Sequence, residues 1–151
     1  MINTSELGEI SIGYKYLSSI ENRPKITDPK DAYDICKLLI DPDKIGIQEQ
    51  FVIVYLNNSN VVIGSCNAFT GGLTGTVVDI KIIVATALKL MANGVLICHN
   101  HPSGNTKPST QDISLTKKIK SALELMDMKL LDHIIITPFD TYTSFTQEGL
   151  L

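Results

Sequence analysis

The sequence predicts an α/β domain with a mixed central β-sheet flanked by about three helices. Three observations point there. Apolar runs of strand length, such as Phe51-Val52-Ile53-Val54-Tyr55-Leu56, alternate with longer stretches whose apolar residues recur at helical spacing. The resulting order, α-β-β-α-β-α-β-β, sets helices between strands, which is how a sheet has its faces covered. The composition, 44% hydrophobic and 19% charged over 151 residues, suits one globular domain with a core of its own.

Residues 1–26 are weakly patterned and read as an N-terminal arm, with Tyr14, Tyr16 and Leu17 hinting at a strand; residues 27–151 form the domain. Asp28 is placed to cap the first helix and Pro29 suits its first position. Ala32, Ile35, Cys36 and Leu39 continue the helix at the right spacing until Asp41-Pro42 stops it. Phe51 to Leu56 is the first core strand, Asn57-Asn58-Ser59-Asn60 its hairpin turn, and Val61-Val62-Ile63-Gly64 the returning strand. The Gly- and Thr-rich residues 69–76 read as a loop. Across 79–93, Ile80, Ile83, Val84, Ala87, Leu88 and Met91 fit a second helix, with Gly94 at its C-cap. Val95-Leu96-Ile97-Cys98 is a short buried strand that runs straight into His99. Ile113, Thr116, Ile119, Leu123 and Met126 mark the third helix, and 131–137 and 141–145 the last two strands.

Bulk properties narrow the function classes. A net charge of −3 opposes wholesale nucleic-acid binding. Lys117, Lys118 and Lys120, with Lys107 nearby, still leave a local basic strip; such strips are usually solvated surface, but this one keeps a DNA contact open. No apolar run approaches the roughly 20 residues of a membrane span, and the start, Met1-Ile2-Asn3-Thr4-Ser5-Glu6, lacks the features of a signal peptide. Three cysteines with no CxxC pair fit a reducing compartment. No membrane association and a cytoplasmic location are expected.

The stretch Cys98-His99-Asn100-His101-Pro102-Ser103-Gly104, continuing to Pro108-Ser109-Thr110-Gln111-Asp112, carries the chemistry. Alternate residues of an extended chain share a side, so His99 and His101 project together. Two such imidazoles hold a zinc ion at about 2.0–2.1 Å each. Asp112 is returned to them by the Pro102-Ser103-Gly104 turn and Pro108, and three protein ligands leave a fourth position for water, the catalytic arrangement. A plainer reading competes: Ser109-Thr110-Gln111-Asp112 is a helix capping box, which needs no metal. A capping box gives no reason for two imidazoles upstream, which tips the balance toward metal. His133, after Asp132, reads as a satisfied core position with a supporting role near the site as its alternative. Cys98 points away from His101, into the core.

The pattern H-x-H-P, with a serine eight residues after the second histidine and an aspartate three further on, resembles the JAMM metalloprotease motif of the JAB/MPN superfamily. With Ser103-Gly104, Pro108 and Leu130-Leu131-Asp132-His133 added, it is similar to the RadC-like branch over roughly residues 49–145. The resemblance implies a JAB/MPN-like (cytidine-deaminase-like) architecture and Zn²⁺ on His99, His101 and Asp112. It also implies Glu49, just before a core strand, as the proton carrier for a metal-activated water, and Ser109 as donor to the developing oxyanion. The plainer role of Ser109 is the N-cap, and one hydroxyl does not easily serve both. The implied activity is a zinc-dependent metallopeptidase or isopeptidase acting on a peptide or protein substrate. Two other classes compete: a non-catalytic scaffold, disfavoured because the ligand residues are all retained, and a DNA-repair-associated accessory protein, disfavoured by the acidic charge. The letters H-N-H do not make an HNH nuclease, and the HxE…PCxxC deaminase signature is missing.

Overall fold

The computed structural model describes residue 19, residues 22–70 and residues 78–151. Tyr14, Tyr16 and Leu17, most of the arm, and residues 71–76 of the Gly/Thr-rich stretch lie outside the described residues. The elements are α1 (Pro29–Leu39), β1 (Gln50–Leu56), β2 (Val62–Thr70), α2 (Ile80–Lys89), β3 (Gly94–Asn100), α3 (Thr110–Glu124), β4 (Lys129–Ile136) and β5 (Tyr142–Ser144). They form one sheet in the order β2-β1-β3-β4-β5. β1 runs antiparallel to β2 and β3, β3 parallel to β4, and β4 antiparallel to β5, so the sheet is mixed as the sequence predicts. β3, the strand that ends in the histidines, is central.

Strand alternation sorts the core into two layers. Phe51, Ile53, Tyr55, Val95 and Ile97 pack with Ile83, Ala87, Ile119 and Leu123 beneath α2 and α3. Val52, Val54, Leu56, Leu96 and Cys98 pack with Ala32, Tyr33 and Cys36 beneath α1. Covered on both faces, β1 and β3 are buried throughout, which is why their sequences are nearly unbroken apolar runs. Asp28, Asp79 and Ser109 each cap a helix by accepting a main-chain N–H through a side-chain oxygen. Among the described residues no helix is long and apolar enough to cross a membrane.

Several boundaries differ from the sequence reading. Phe69 and Thr70 belong to β2 and not to a loop, because they pair with Phe51 and Gln50 of β1. Helix α2 stops at Lys89, short of 93, and Gly94 opens β3 instead of capping the helix. The stop is a Schellman motif: the N–H of Ala92 donates to the carbonyl of Ala87 and that of Met91 to Leu88, with Met91 at φ 51°. α3 ends the same way around Asp127 (φ 55°), leaving Met126 beyond the helix.

Candidate metal centre

The pairing of β1 with β3 sets the site's coordinates. Phe51 lies opposite His99, where the pairing ends, and Glu49 stands one residue before β1. His99 shares the face of Phe51, the α2/α3 side of the sheet, and His99 and His101 both reach Asp112 of α3. The chain leaves β3 at Asn100, His101 donates its N–H to the carbonyl of Ile136, and the turn that follows returns it to α3. Gly104 takes φ 82° there, with its Cα so close to the Phe139 ring that a Cβ would sit 2.5 Å from it.

At the start of α3 the capping box forms: Ser109 Oγ accepts from the N–H of Asp112 at 3.1 Å, and Asp112 Oδ2 accepts from the N–H of Ser109 at 2.7 Å. The box and the metal reading coexist on one carboxylate. While Asp112 Oδ2 serves the cap, Oδ1 lies 3.3 Å from His99 Nε2, and Oδ2 lies 3.5 Å from His101 Nε2. The two Nε2 atoms are 2.9 Å apart. His101 Nδ1 lies 2.6 Å from the carbonyl oxygen of Asn105; a carbonyl only accepts, so Nδ1 carries hydrogen and Nε2 is free to bind a cation.

The electrostatics match. The Asp112 carboxylate beside His101 raises that imidazole's pKa, and the carboxylate of Glu49 adds to the pull. Burial alone would push the Asp112 carboxyl up, but the neighbouring imidazoles of His101 and His99 and the hydroxyl of Ser109 hold it far below the ordinary carboxylate range. Among the described residues, His99, His101 and Asp112 are the group able to hold a metal ion, with ligand atoms within 4.8 Å of one another. Two imidazole nitrogens and one carboxylate oxygen are a fitting donor set for a borderline divalent ion.

Residues 26–150 match the family model of the RadC-like JAB domain. The chain belongs to that family. It is 44% identical over 126 residues to a UPF0758 protein of Flavobacterium johnsoniae, covering 83% of this chain and 53% of that one. It is 36% identical over 145 residues to a UPF0758 protein of Clostridium beijerinckii, covering 96% and 62% respectively. The chain therefore spans between about half and three-fifths of the length of these relatives.

Within this RadC-like JAB domain, three side chains support the site, of which sequence reasoning offered such a role to His133 alone, as an alternative. Asn100, between the two histidines, faces the α1 side and is fully buried. Its amide donates to the carbonyls of Ile45 (2.8 Å) and Gln48 (2.9 Å), and its oxygen accepts from the N–H of Gln50 (2.7 Å). Asn100 thus fastens the half-buried Glu49 segment to the strand that bears the histidines. His133, on β4, is also fully buried, and its Nε2 lies 2.8 Å from His99 Nδ1. Burial drives its pKa well below the ordinary histidine value. Thr116, on α3, completes the set at 2.6 Å from His133 Nδ1. Asp132 is a structural carboxylate, accepting from the N–H groups of His133 and Thr146 and from the Ser144 hydroxyl. Cys98 is buried on the α1 side, as expected. On α3, Lys117 and Lys118 are exposed and Lys120 is half-buried.

Proposed function

We propose that this domain is a zinc-dependent hydrolase, a metallopeptidase or isopeptidase that cleaves an amide bond in a peptide or protein substrate. The observation that carries this reading is the convergence of His99 Nε2, His101 Nε2 and the Asp112 carboxylate, three electron-pair donors with nothing but a cation or a proton to reconcile them. A zinc ion held there supplies Lewis-acid chemistry, polarising a carbonyl and lowering the pKa of water toward about 7. Glu49, whose carboxylate is near enough to His101 to raise that imidazole's pKa, accepts the proton of the attacking water and delivers it to the leaving nitrogen. Ser109 has one hydroxyl proton and two lone pairs. Its cap role uses a lone pair, while the proton now donates to Asp112 Oδ2 at 2.7 Å; turning that proton to an oxyanion leaves the cap intact. The three cysteines are free, which supports a reducing, cytoplasmic setting.

The test is elemental analysis of protein purified without a metal-affinity tag, beside Asp112→Ala, followed by a peptide and isopeptide cleavage screen with Glu49→Gln as control. About one equivalent of zinc, lost in Asp112→Ala, together with cleavage lost in Glu49→Gln, is the expected result. Negligible metal after zinc is supplied would refute the reading and favour a scaffold.

A further inference from the structure

The contacts behind His99 have a direction, because some of their atoms only accept. Thr116 Oγ1 lies 2.6 Å from the main-chain oxygen of Asp112 and 2.6 Å from His133 Nδ1. The carbonyl takes the single hydroxyl proton, so Oγ1 must accept from His133 Nδ1–H. One hydrogen also joins His133 Nε2 to His99 Nδ1 at 2.8 Å. Were it on His133, that ring would carry a full charge in a pocket walled by Phe51, Phe145, His99 and Thr116, where burying an unpaired charge is costly. It therefore belongs to His99 Nδ1. That leaves His99 Nε2 bare, and this is the atom facing His101 and Asp112.

We propose that Thr116 and His133 are positioning residues that lock His99 in its Nδ1–H tautomer, so that the backbone of α3 sets the ligating state of a histidine on β3. The relay runs from the Asp112 carbonyl through Thr116 and His133 to His99. Helix α3 thus supplies one ligand directly, the Asp112 carboxylate, and orients another through two side chains. His101 is held differently, by the Asn105 carbonyl, which no side-chain substitution removes. The vulnerable histidine of the pair is His99. Outer partners of metal-bound histidines affect metal affinity by about 10–100-fold when mutated.

The proposal rests on the metal reading above, so the experiment has two separate readouts. One is zinc affinity, by competition with a chromophoric chelator, for the wild type, Thr116→Val and Thr116→Ser. The other is the tautomeric state of His99 and His133 in the metal-free protein, from long-range ¹H–¹⁵N correlation spectra of the imidazoles. Thr116→Val keeps the shape and loses the hydroxyl; it should bind zinc about 10–100-fold more weakly. Thr116→Ser, which keeps the hydroxyl, should stay within about threefold of the wild type by the same logic. The wild-type spectra should show Nδ1–H on both rings. Equal zinc affinity in wild type and Thr116→Val, or Nε2–H on His133, would overturn the relay. A wild type that takes up no zinc would overturn the metal reading instead, and the imidazole spectra would still decide the tautomer lock.

Discussion

Replacing Asn100 by alanine should loosen the Glu49 segment and lower stability by about 3 kcal/mol. The side chain makes three hydrogen bonds, to Ile45, Gln48 and Gln50, and is fully buried. Each such bond contributes about 0.5–1.5 kcal/mol net, and a donor left buried without a partner costs about 1–3. The carbonyls of Ile45 and Gln48 belong to half-buried residues that water can reach, so they sit at the low end. The N–H of Gln50 opens a fully buried strand and sits at the high end. Urea unfolding of the metal-free protein, followed by far-UV circular dichroism because the chain has no tryptophan, reads the sum. With a slope of about 2 kcal/mol/M, the midpoint should fall by about 1.5 M. Hydrogen exchange should accelerate first at residues 44–50, ahead of β3. A midpoint shift under about 0.3 M, or exchange that speeds up uniformly, would refute the clamp.

Other outcomes follow from the same geometry. Ser109→Ala removes the N-cap of α3 and should cost about 1 kcal/mol, a fall of about 2–4 °C in thermal midpoint. Gly104→Ala forces a Cβ against Phe139 at φ 82°; it should destabilise by more than about 1 kcal/mol, and adding Phe139→Ala should recover only the steric share, since the backbone strain persists. Excess zinc at about a hundredfold over its Kd should stabilise the wild type by about 2.7 kcal/mol and leave Asp112→Ala unmoved in a thermal melt. In metal-free protein, His133 binds fewer protons folded than unfolded below its ordinary pKa of 6.5, so it makes stability fall as pH falls. Asp112, whose pKa is lowered, adds to that loss from its ordinary 3.8 downward. His101 acts oppositely: its raised pKa gives stability that is complete below 6.5 and lost as pH rises through the folded value. His101→Asn should therefore abolish the alkaline decline of a melting-point profile between about pH 5 and 9 while sparing the acid one.

Much of this was legible because the signals are local. Asp28-Pro29 announces α1, the apolar runs announce β1 and β3, and the parity of His99 and His101 announces a shared face. Ser109 to Asp112 read as a capping box and as a ligand source, and the structure forms the cap on a carboxylate that also lies beside His99. The end of α2 was not legible, since its Schellman stop places Met91, not a glycine, in the left-handed position. Nor was the length of β2, whose last residues are strand through their pairing with β1. The role of Asn100 was not legible, because its three partners lie 50 to 55 residues away. One clue was available: an amide in a fully buried strand must find partners. His133 read as a core position with a supporting role as its alternative, and Thr116 as a position of the third helix; both are buried, and Thr116 meets His133, which meets the candidate ligand His99.

The opposed facing of neighbouring residues in β3 also bears on how such a chain can drift. His99 looks to the α3 side and Asn100 to the α1 side, so a candidate metal ligand and the loop anchor occupy adjacent letters of one strand. A substitution anywhere in Gly94–Asn100 alters one function at a time. An insertion or deletion of a single residue there reverses every facing beyond it, turning the histidine toward the loop and the amide toward the ligands. The strand accepts changes of spelling but not of length, and the turn after Gly104 is bound in length as well, because the Asn105 carbonyl must meet His101 Nδ1.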